Sequence, residues 1–267
     1  MLTALGIDRA SKSAARMMKL HPPLVTVLVL LIGLAFGMPA RAESVTVAGC
    51  ENYALYSDAA LPGNGFANDL TAQIMKQAGY DVSVSVLPWV RALEGTESGE
   101  FDILPSAWYS EERGQKLLFS MPIAQSRLVF VKPADSKFEF HTLKDLTGLR
   151  VGIVSGYTYE PAFLASPLFQ RQAVADVLMN LRRVATRHID LTLDDELTIR
   201  FIIHSRAPEL EPVLALTHGV LAEQGLFVTF SKKRADAAKL LADFNAGLAR
   251  MRGDGSYDKL LVLHQIQ

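Results

Sequence analysis

The chain has 267 residues, of which 49% are hydrophobic and 21% are charged, and its formal net charge at pH 7 is −1. This composition is typical of a globular protein with one large domain or two small ones. It excludes a disordered or low-complexity chain.

The first 42 residues have the pattern of a secretory signal peptide. Four basic residues between positions 9 and 19 precede an apolar run over 24–38, and Ala40-Arg41-Ala42 forms a small-x-small cleavage site. A membrane anchor is the alternative, but this run is shorter than the roughly 20 residues that span a bilayer. The sequence therefore predicts a cleaved signal peptide and a periplasmic protein.

Removal of residues 1–42 takes away five basic residues and one acidic residue, which leaves a net charge of −5. An acidic chain is a poor partner for nucleic acid. Cys50 is the one cysteine, so an internal disulfide is excluded. The stretch from Val47 to Cys50 resembles a lipobox, but it does not directly follow the apolar run. The alternation over 44–50 favours a first strand instead.

Strands and helices then alternate along the chain. Apolar residues at 70, 74 and 78 predict a helix that Gly79 ends. Strands are predicted at 80–89 and 101–107, with a helix between them that ends at Gly99. This βαβαβ order indicates a parallel sheet with covering helices.

A second α/β unit follows a strand at 127–133. It contains a strand that ends at Gly156, a helix over 172–185 and a strand at 189–193. A second extended stretch at 226–233 precedes the C-terminal helices. Two α/β lobes with two extended crossings between them predict a hinge.

Five motifs occur in order through residues 43–267. They are "GFANDLTAQIMKQAGYDV", "PWVRALEGTESGEFDILPSAWYSEERGQKLLFSMPI", "LKDLTGLRVGIVSGYTYE", "RHIDLTLDDE" and "MRGDGSYDKLL". Together they resemble the periplasmic solute-binding proteins, family 3, that serve polar-amino-acid ABC transporters. The resemblance implies an α/β, two-lobed periplasmic-binding-protein fold of type II, with a hinge of two extended crossovers. Lobe 1 would hold residues 43–130 and 231–267, and lobe 2 would hold residues 134–226.

The same resemblance implies the function. The protein would bind a small amino-acid-like solute reversibly between its lobes, and its partners would be that ligand and a membrane ABC permease. We expect a monomer that needs no cofactor. Because the implied function is binding and not catalysis, we expect no catalytic residue.

By this resemblance, seven residues would line the ligand cleft: Tyr53, Trp89, Ser106, Trp108, Arg113, Thr158 and Asp195. Arg113 would grip a carboxylate with two parallel hydrogen bonds, and the Thr158 hydroxyl would also donate to it. Tyr53 and Trp89 would enclose the ligand side chain, since both follow parallel strands, and Ser106 would contact the ligand. Each has an ordinary alternative: a solvated arginine, an N-cap threonine, or aromatic core packing.

Two residues near the same rim leave questions open. Trp108 stands where the family usually has a small hydroxyl residue, which implies a narrower pocket or a ligand other than a standard α-amino acid. Arg91 is either a cation for an acidic ligand or a helix-surface residue.

The acidic stretch from Asp190 to Glu196 is assigned by position. Asp190 begins a strand, Asp194 is expected to face away, and Asp195 matches the family's aspartate that accepts the ligand ammonium. The stretch lacks the glycine and spacing of a calcium loop, so no metal site is predicted.

Two other functions remain as alternatives. The fold also occurs in periplasmic dehydratase-like enzymes, where cleft carboxylates act as acid or base. A sensory role would require a membrane receptor as partner. Arg113 and Asp195 together favour reversible binding of a zwitterion.

Overall fold

The computed structural model describes residues 42–266. The predicted signal peptide, except for Ala42, lies outside the described residues. Across the described range, every helix is too short or too polar to cross a membrane.

The strands form one mixed sheet of eight strands in the order β2-β1-β3-β8-β4-β7-β5-β6. The strands are β1 (Ser44–Cys50), β2 (Asp81–Leu87), β3 (Ile103–Trp108), β4 (Leu117–Pro133), β5 (Arg150–Val154), β6 (Gln170–Val174), β7 (Leu191–Asp195) and β8 (Leu214–Ser231). The α-helices are α1 (Phe66–Gln77), α2 (Trp89–Ser98), α3 (Glu111–Lys116), α4 (Pro161–Ala165), α5 (Val177–Ala185), α6 (Glu196–Phe201), α7 (Ala237–Gly253) and α8 (Ser256–Leu263). Short 3₁₀ turns cover Pro62–Asn64, Leu143–Leu146 and Pro208–Leu210, and Ile202–Arg206 is π-helical.

Strands β4 and β8 connect two half sheets. They pair antiparallel over their whole length, from Leu117 opposite Ser231 to Pro133 opposite Leu214. Strand β3 pairs with β8, and strand β7 pairs with β4. We call β1–β3 with helices α1–α3, α7 and α8 the first lobe, and β5–β7 with helices α4–α6 the second lobe. The predicted fold class, with two extended crossovers, is confirmed. The residue boundaries of the lobes stay predictions.

The helix predicted over 172–185 is wrong in its first third. Residues Gln170–Val174 form strand β6, which pairs parallel with β5. The helix begins only at Val177, because the Asp176 side chain accepts a hydrogen bond from the Met179 N–H at 2.9 Å and caps it.

The C-terminal helices complete the first lobe. The apolar residues of α7 at positions 240, 244, 248 and 251 are buried, as their helical spacing predicts. Gly247 lets α7 approach α1 closely, since a Cβ atom there would lie 2.5 Å from Ile74 Cγ2. The first lobe is therefore built from two distant parts of the chain.

Candidate functional site

A small cavity lies between the two lobes. It is lined by Tyr53, Trp89, Ser106, Trp108 and Arg113 of the first lobe, by Tyr157 after β5, and by Leu226 of β8. About 10 Å³ is available there to the centre of a water-sized sphere, which is room for about one water molecule. Five of the seven residues predicted from the sequence therefore meet at one place.

The parallel strands position the aromatic lining. Tyr53 follows β1, Trp89 begins α2 just after β2, and Trp108 is the last residue of β3. Tyr157 follows β5 in the second lobe. The carboxyl ends of parallel strands meet at one edge of a sheet, and this edge is where ligand clefts form in open α/β folds. Tyr157 was not among the predicted ligand residues, although this rule applies to it equally.

Arg113 is held at the base of the cavity. Its residue is 4% exposed, and its Nη1 and Nη2 atoms donate to the carbonyl oxygens of Trp108 (2.8 Å) and Gly156 (2.9 Å). Its guanidinium carbon lies 5.0 Å from the centroid of the Trp89 ring. The guanidinium therefore touches both lobes and an aromatic face.

The charge of Arg113 has no ion-pair partner in the described part of the chain. No carboxylate within residues 42–266 forms an ion pair with Arg113, and the charges of Glu97 and Glu112 act on it without direct contact. Burial lowers the pKa of Arg113 to about 10, so the group stays protonated at neutral pH. A buried cation without a counterion is unfavourable, and a bound anion would stabilise it.

Several aromatic rings pack edge to face around the cavity. The Trp108 ring centroid lies 5.1 Å from that of Tyr157 and 6.1 Å from that of Tyr53. Among the described residues, the buried Trp108 Nε1 and Tyr53 Oη atoms have no hydrogen-bond partner. Ser106 is 2% exposed, and its Oγ lies 3.5 Å from Cys50 Sγ. The cavity thus has an apolar wall with unpartnered polar atoms.

The segment after β5 presents a carbonyl group to the first lobe. Gly156 has φ +73°, and its oxygen accepts from Trp89 Nε1 at 2.9 Å as well as from Arg113. Thr158 is half-buried but does not line the cavity, and α4 begins at Pro161 with Glu160 at its N-cap. The ligand role of Thr158 stays a prediction.

Asp195 does not line the aromatic cavity, although burial, and then the charge of Asp195, raise the pKa of Tyr53, which does. Asp195 is 1% exposed, its Oδ1 accepts from the Thr198 N–H at the start of α6 (2.9 Å), and its Oδ2 accepts from Ser126 Oγ (2.7 Å). It lines a second, wider cavity of about 490 Å³, which Arg127 and Tyr257 also line. Its predicted contact with an ammonium group stays a prediction.

Asp194 does not face solvent. It is fully buried, and its Oδ1 accepts from the Asp195 N–H at 2.7 Å. Its Oδ2 has no hydrogen-bond partner within residues 42–266. Burial, and then the charge of Asp195, raise the pKa of Asp194 to about 8. Burial raises the pKa of Tyr157 and Tyr159 as well, with the charge of Asp194 as a further cause. A second buried carboxylate therefore lies close to the tyrosines of the cavity.

The remaining charged candidates have structural partners. Arg91 is exposed, pairs with Glu100 and does not line the cavity. Asp190 pairs with Arg150 at 2.8 Å, next to the start of β5. Over residues 42–266, no cluster of three His, Cys, Asp or Glu residues is arranged to hold a metal ion.

Comparison with known proteins agrees with this architecture. A protein of Campylobacter jejuni named "Probable histidine-binding protein" is 25% identical over 205 residues, which cover 76% of this chain and 77% of that protein. The lysine/arginine/ornithine-binding periplasmic protein of Escherichia coli is 26% identical over 254 residues, which cover 88% and 94%. A histidine kinase sensor domain with similarity to periplasmic binding proteins has a TM-score of 0.74 at 24% identity, covering 84% and 96%.

A family profile matches most of the chain. That of the bacterial extracellular solute-binding proteins, family 3, matches residues 45–262. This range includes both lobes, both crossing strands and the aromatic cavity. The chain therefore belongs to the bacterial extracellular solute-binding proteins, family 3.

Proposed function

We propose that this protein is a periplasmic substrate-binding protein of an ABC transporter and reversibly binds a small amino-acid-like zwitterion between its lobes. The observation that carries the proposal is the buried Arg113 guanidinium, which has an aromatic wall beside it and no carboxylate of residues 42–266 paired with it. A ligand carboxylate would supply the missing charge and accept two parallel hydrogen bonds.

The ligand ammonium would bind at the end of β7. Asp195 occupies the position expected from the family resemblance, and Asp194 offers the carboxylate oxygen that has no partner. A buried cation on the first lobe and a buried carboxylate on the second are complementary to the two charges of a zwitterion. Relatives named for binding histidine and for binding lysine, arginine and ornithine are consistent with this ligand class.

Binding requires the lobes to separate. The closed cavity holds about one water molecule, so a ligand enters an open form and the lobes then close on it. Because only the closed form completes the site, the ligand shifts a pre-existing equilibrium between open and closed forms. A membrane permease would recognise the closed form of the monomer.

A thermal-shift screen of the mature protein tests the ligand class. It includes L-amino acids, opines, polyamines and dicarboxylates at matched ionic strength. A ligand at 100 times its dissociation constant stabilises the fold by about 2.7 kcal/mol. A shift with dicarboxylates and none with any zwitterion would contradict the proposal.

The two aspartates are tested separately. Asp194→Asn and Asp195→Asn each replace a carboxyl group by an amide of similar shape, and calorimetry with the identified ligand then measures affinity. We expect Asp194→Asn to weaken binding at least about tenfold, as the loss of a buried charge-assisted hydrogen bond does. Unchanged binding by both variants would place the ammonium elsewhere.

Localisation and reaction type have their own tests. N-terminal sequencing of protein from the periplasmic fraction should begin at Glu43 if the signal peptide is cleaved after Ala42. Recovery of an identified ligand unchanged after long incubation is the result expected of a binding protein. Its conversion to a product would favour the dehydratase-like alternative.

A further inference from the structure

The loop that follows β1 reaches across the cleft. We call residues 51–58 the cleft loop. The Ala54 side chain is fully buried in a hydrophobic cluster formed mainly by the second lobe, and its carbonyl oxygen accepts from Thr198 Oγ1 of α6 at 3.1 Å. Leu55 beside it has φ +69°, a left-handed conformation that side chains other than glycine rarely adopt. The loop therefore keeps an unfavourable backbone conformation while it contacts the second lobe.

An ion pair lies at the end of the same loop. Arg206 Nη1 of the second lobe donates to Asp58 Oδ2 of the first lobe at 2.8 Å. The two side chains are 22% and 10% exposed, so the pair is better shielded from solvent than an ordinary surface ion pair. The backbone N–H groups of Asn52 and Ala60 also donate to the Asp58 carboxylate. These two hydrogen bonds orient the Asp58 carboxylate for its ion pair with Arg206.

A change from α-helix to π-helix positions Arg206. Helix α6 continues into the π-helical turn Ile202–Arg206, where the Ala207 N–H donates to the Ile202 carbonyl at 2.9 Å. Such turns widen a helix by one residue and occur often at functional sites. The Arg206 guanidinium also lies 5.6 Å from the centroid of the Phe201 ring, which restricts its orientation.

We propose that Asp58 and Arg206 form a latch that stabilises the closed form of the two lobes without contacting the ligand. The latch rests on the proposed function, because it regulates access to the same cleft. Tyr53 connects the latch with the aromatic cavity. It lines the aromatic cavity and is bonded through its backbone to Ser57, the residue before Asp58. Opening the latch therefore frees the loop that carries one wall of the ligand site.

The test uses the mature protein without ligand. Small-angle X-ray scattering measures the radius of gyration. Tryptophan fluorescence reports the cleft, because both tryptophans of the sequence line the cavity. We expect Arg206→Gln and Asp58→Asn each to lower the closed-to-open ratio about tenfold, the effect of one charge-assisted hydrogen bond. This should appear as a larger radius of gyration and red-shifted emission.

The matched control is Arg187→Gln. It breaks the exposed pair between Arg187 and Asp135, neither of which lines the cavity, and should change neither signal. The double variant of Asp58 and Arg206 should resemble either single variant, because the second change has no further pair to break. Both single variants with wild-type scattering and emission, or a wild-type protein already open without ligand, would overturn the latch. These outcomes require no ligand, so they are independent of whether an amino acid binds.

Discussion

Arg113 lies across the face of Trp89, with 5.0 Å between its guanidinium carbon and the ring centroid, and both residues donate to the carbonyl oxygen of Gly156. One backbone acceptor of the second lobe thus satisfies two donors of the first. A ligand carboxylate would compete with this carbonyl for the guanidinium. These residues of the candidate site are therefore already bonded to one another in the absence of a ligand.

Replacing Arg113 by methionine should separate binding from stability. We expect ligand affinity to fall by about 100-fold or more, since the loss of one member of a buried charge pair costs about 2–5 kcal/mol. The free energy of unfolding should change by only about 1 kcal/mol, because the relieved cost of burying a charge without an ion-pair partner among residues 42–266 offsets the two lost hydrogen bonds to Trp108 and Gly156. Calorimetry and urea unfolding measure the two quantities.

The control for this change is Arg127→Met. Arg127 lies in the wider cavity beside Asp195 and pairs with Glu196 and Glu223. Its loss should leave affinity unchanged. The reverse pattern, with Arg127 essential and Arg113 dispensable, would assign the ligand to the wider cavity.

Two tyrosines should respond in opposite ways to loss of the hydroxyl group. The Tyr53 hydroxyl is buried and has no hydrogen-bond partner within residues 42–266. Tyr53→Phe should therefore keep or raise the free energy of unfolding. The same variant should weaken ligand binding. The Tyr159 hydroxyl accepts from the Val154 N–H at 3.0 Å, so Tyr159→Phe should destabilise the fold by about 1 kcal/mol. Chemical unfolding of both variants checks this. Equal destabilisation would mean that the Tyr53 hydroxyl has a partner in solution.

Gly156→Ala and Gly148→Ala form a second matched pair. Both glycines have positive φ, +73° and +79°, so either substitution should cost about 1 kcal/mol of stability. A Cβ atom at Gly156 would also lie 3.2 Å from Trp89 Nε1 across the cleft. A Cβ atom at Gly148 would have no other atom of the described residues within 4 Å. Ligand affinity should therefore fall only for Gly156→Ala. Equal affinity in both variants would contradict the close contact between the lobes.

The pH dependence of stability should identify Asp194. Burial raises its pKa from 3.8 to about 8 in the folded protein, so folding favours its protonated form. Its contribution to stability is full below its ordinary pKa and is lost as the pH rises towards 8. Asp194→Asn has no proton to release, and its advantage in melting temperature over the wild type should grow between pH 5 and pH 8. A constant difference over this range would show that Asp194 ionises normally.

Periodicity predicted the order of the elements but not the full length of the crossing strands. The residues before Arg127 in β4 include Pro122, Gln125 and Ser126, which do not resemble a strand in sequence. They pair with β8 because both lobes bring the two segments together. Gly219 and Gly225 likewise make β8 difficult to recognise as a strand from the sequence. Long-range pairing, and not local propensity, determines these strands.

The candidate site was predictable where a side chain follows a parallel strand. Tyr53, Trp89 and Trp108 satisfy this rule and meet in the cavity. Asp194 was expected to face away from the ligand; it is fully buried within β7 and does not line the aromatic cavity. The carbonyl of Gly156 is a backbone atom, and no side-chain motif could identify it.

The position of β8 between β3 and β4 has a consequence for folding. The strands and helices of the second lobe lie within residues 150–201, one uninterrupted stretch. The first lobe depends on partners far along the chain, such as Arg234 Nη1, which donates to the Ser44 carbonyl 190 residues earlier. Contacts at such sequence separation form slowly. The half that is synthesised first is therefore the half that must wait longest for its last native contacts, because they require residues 237–263.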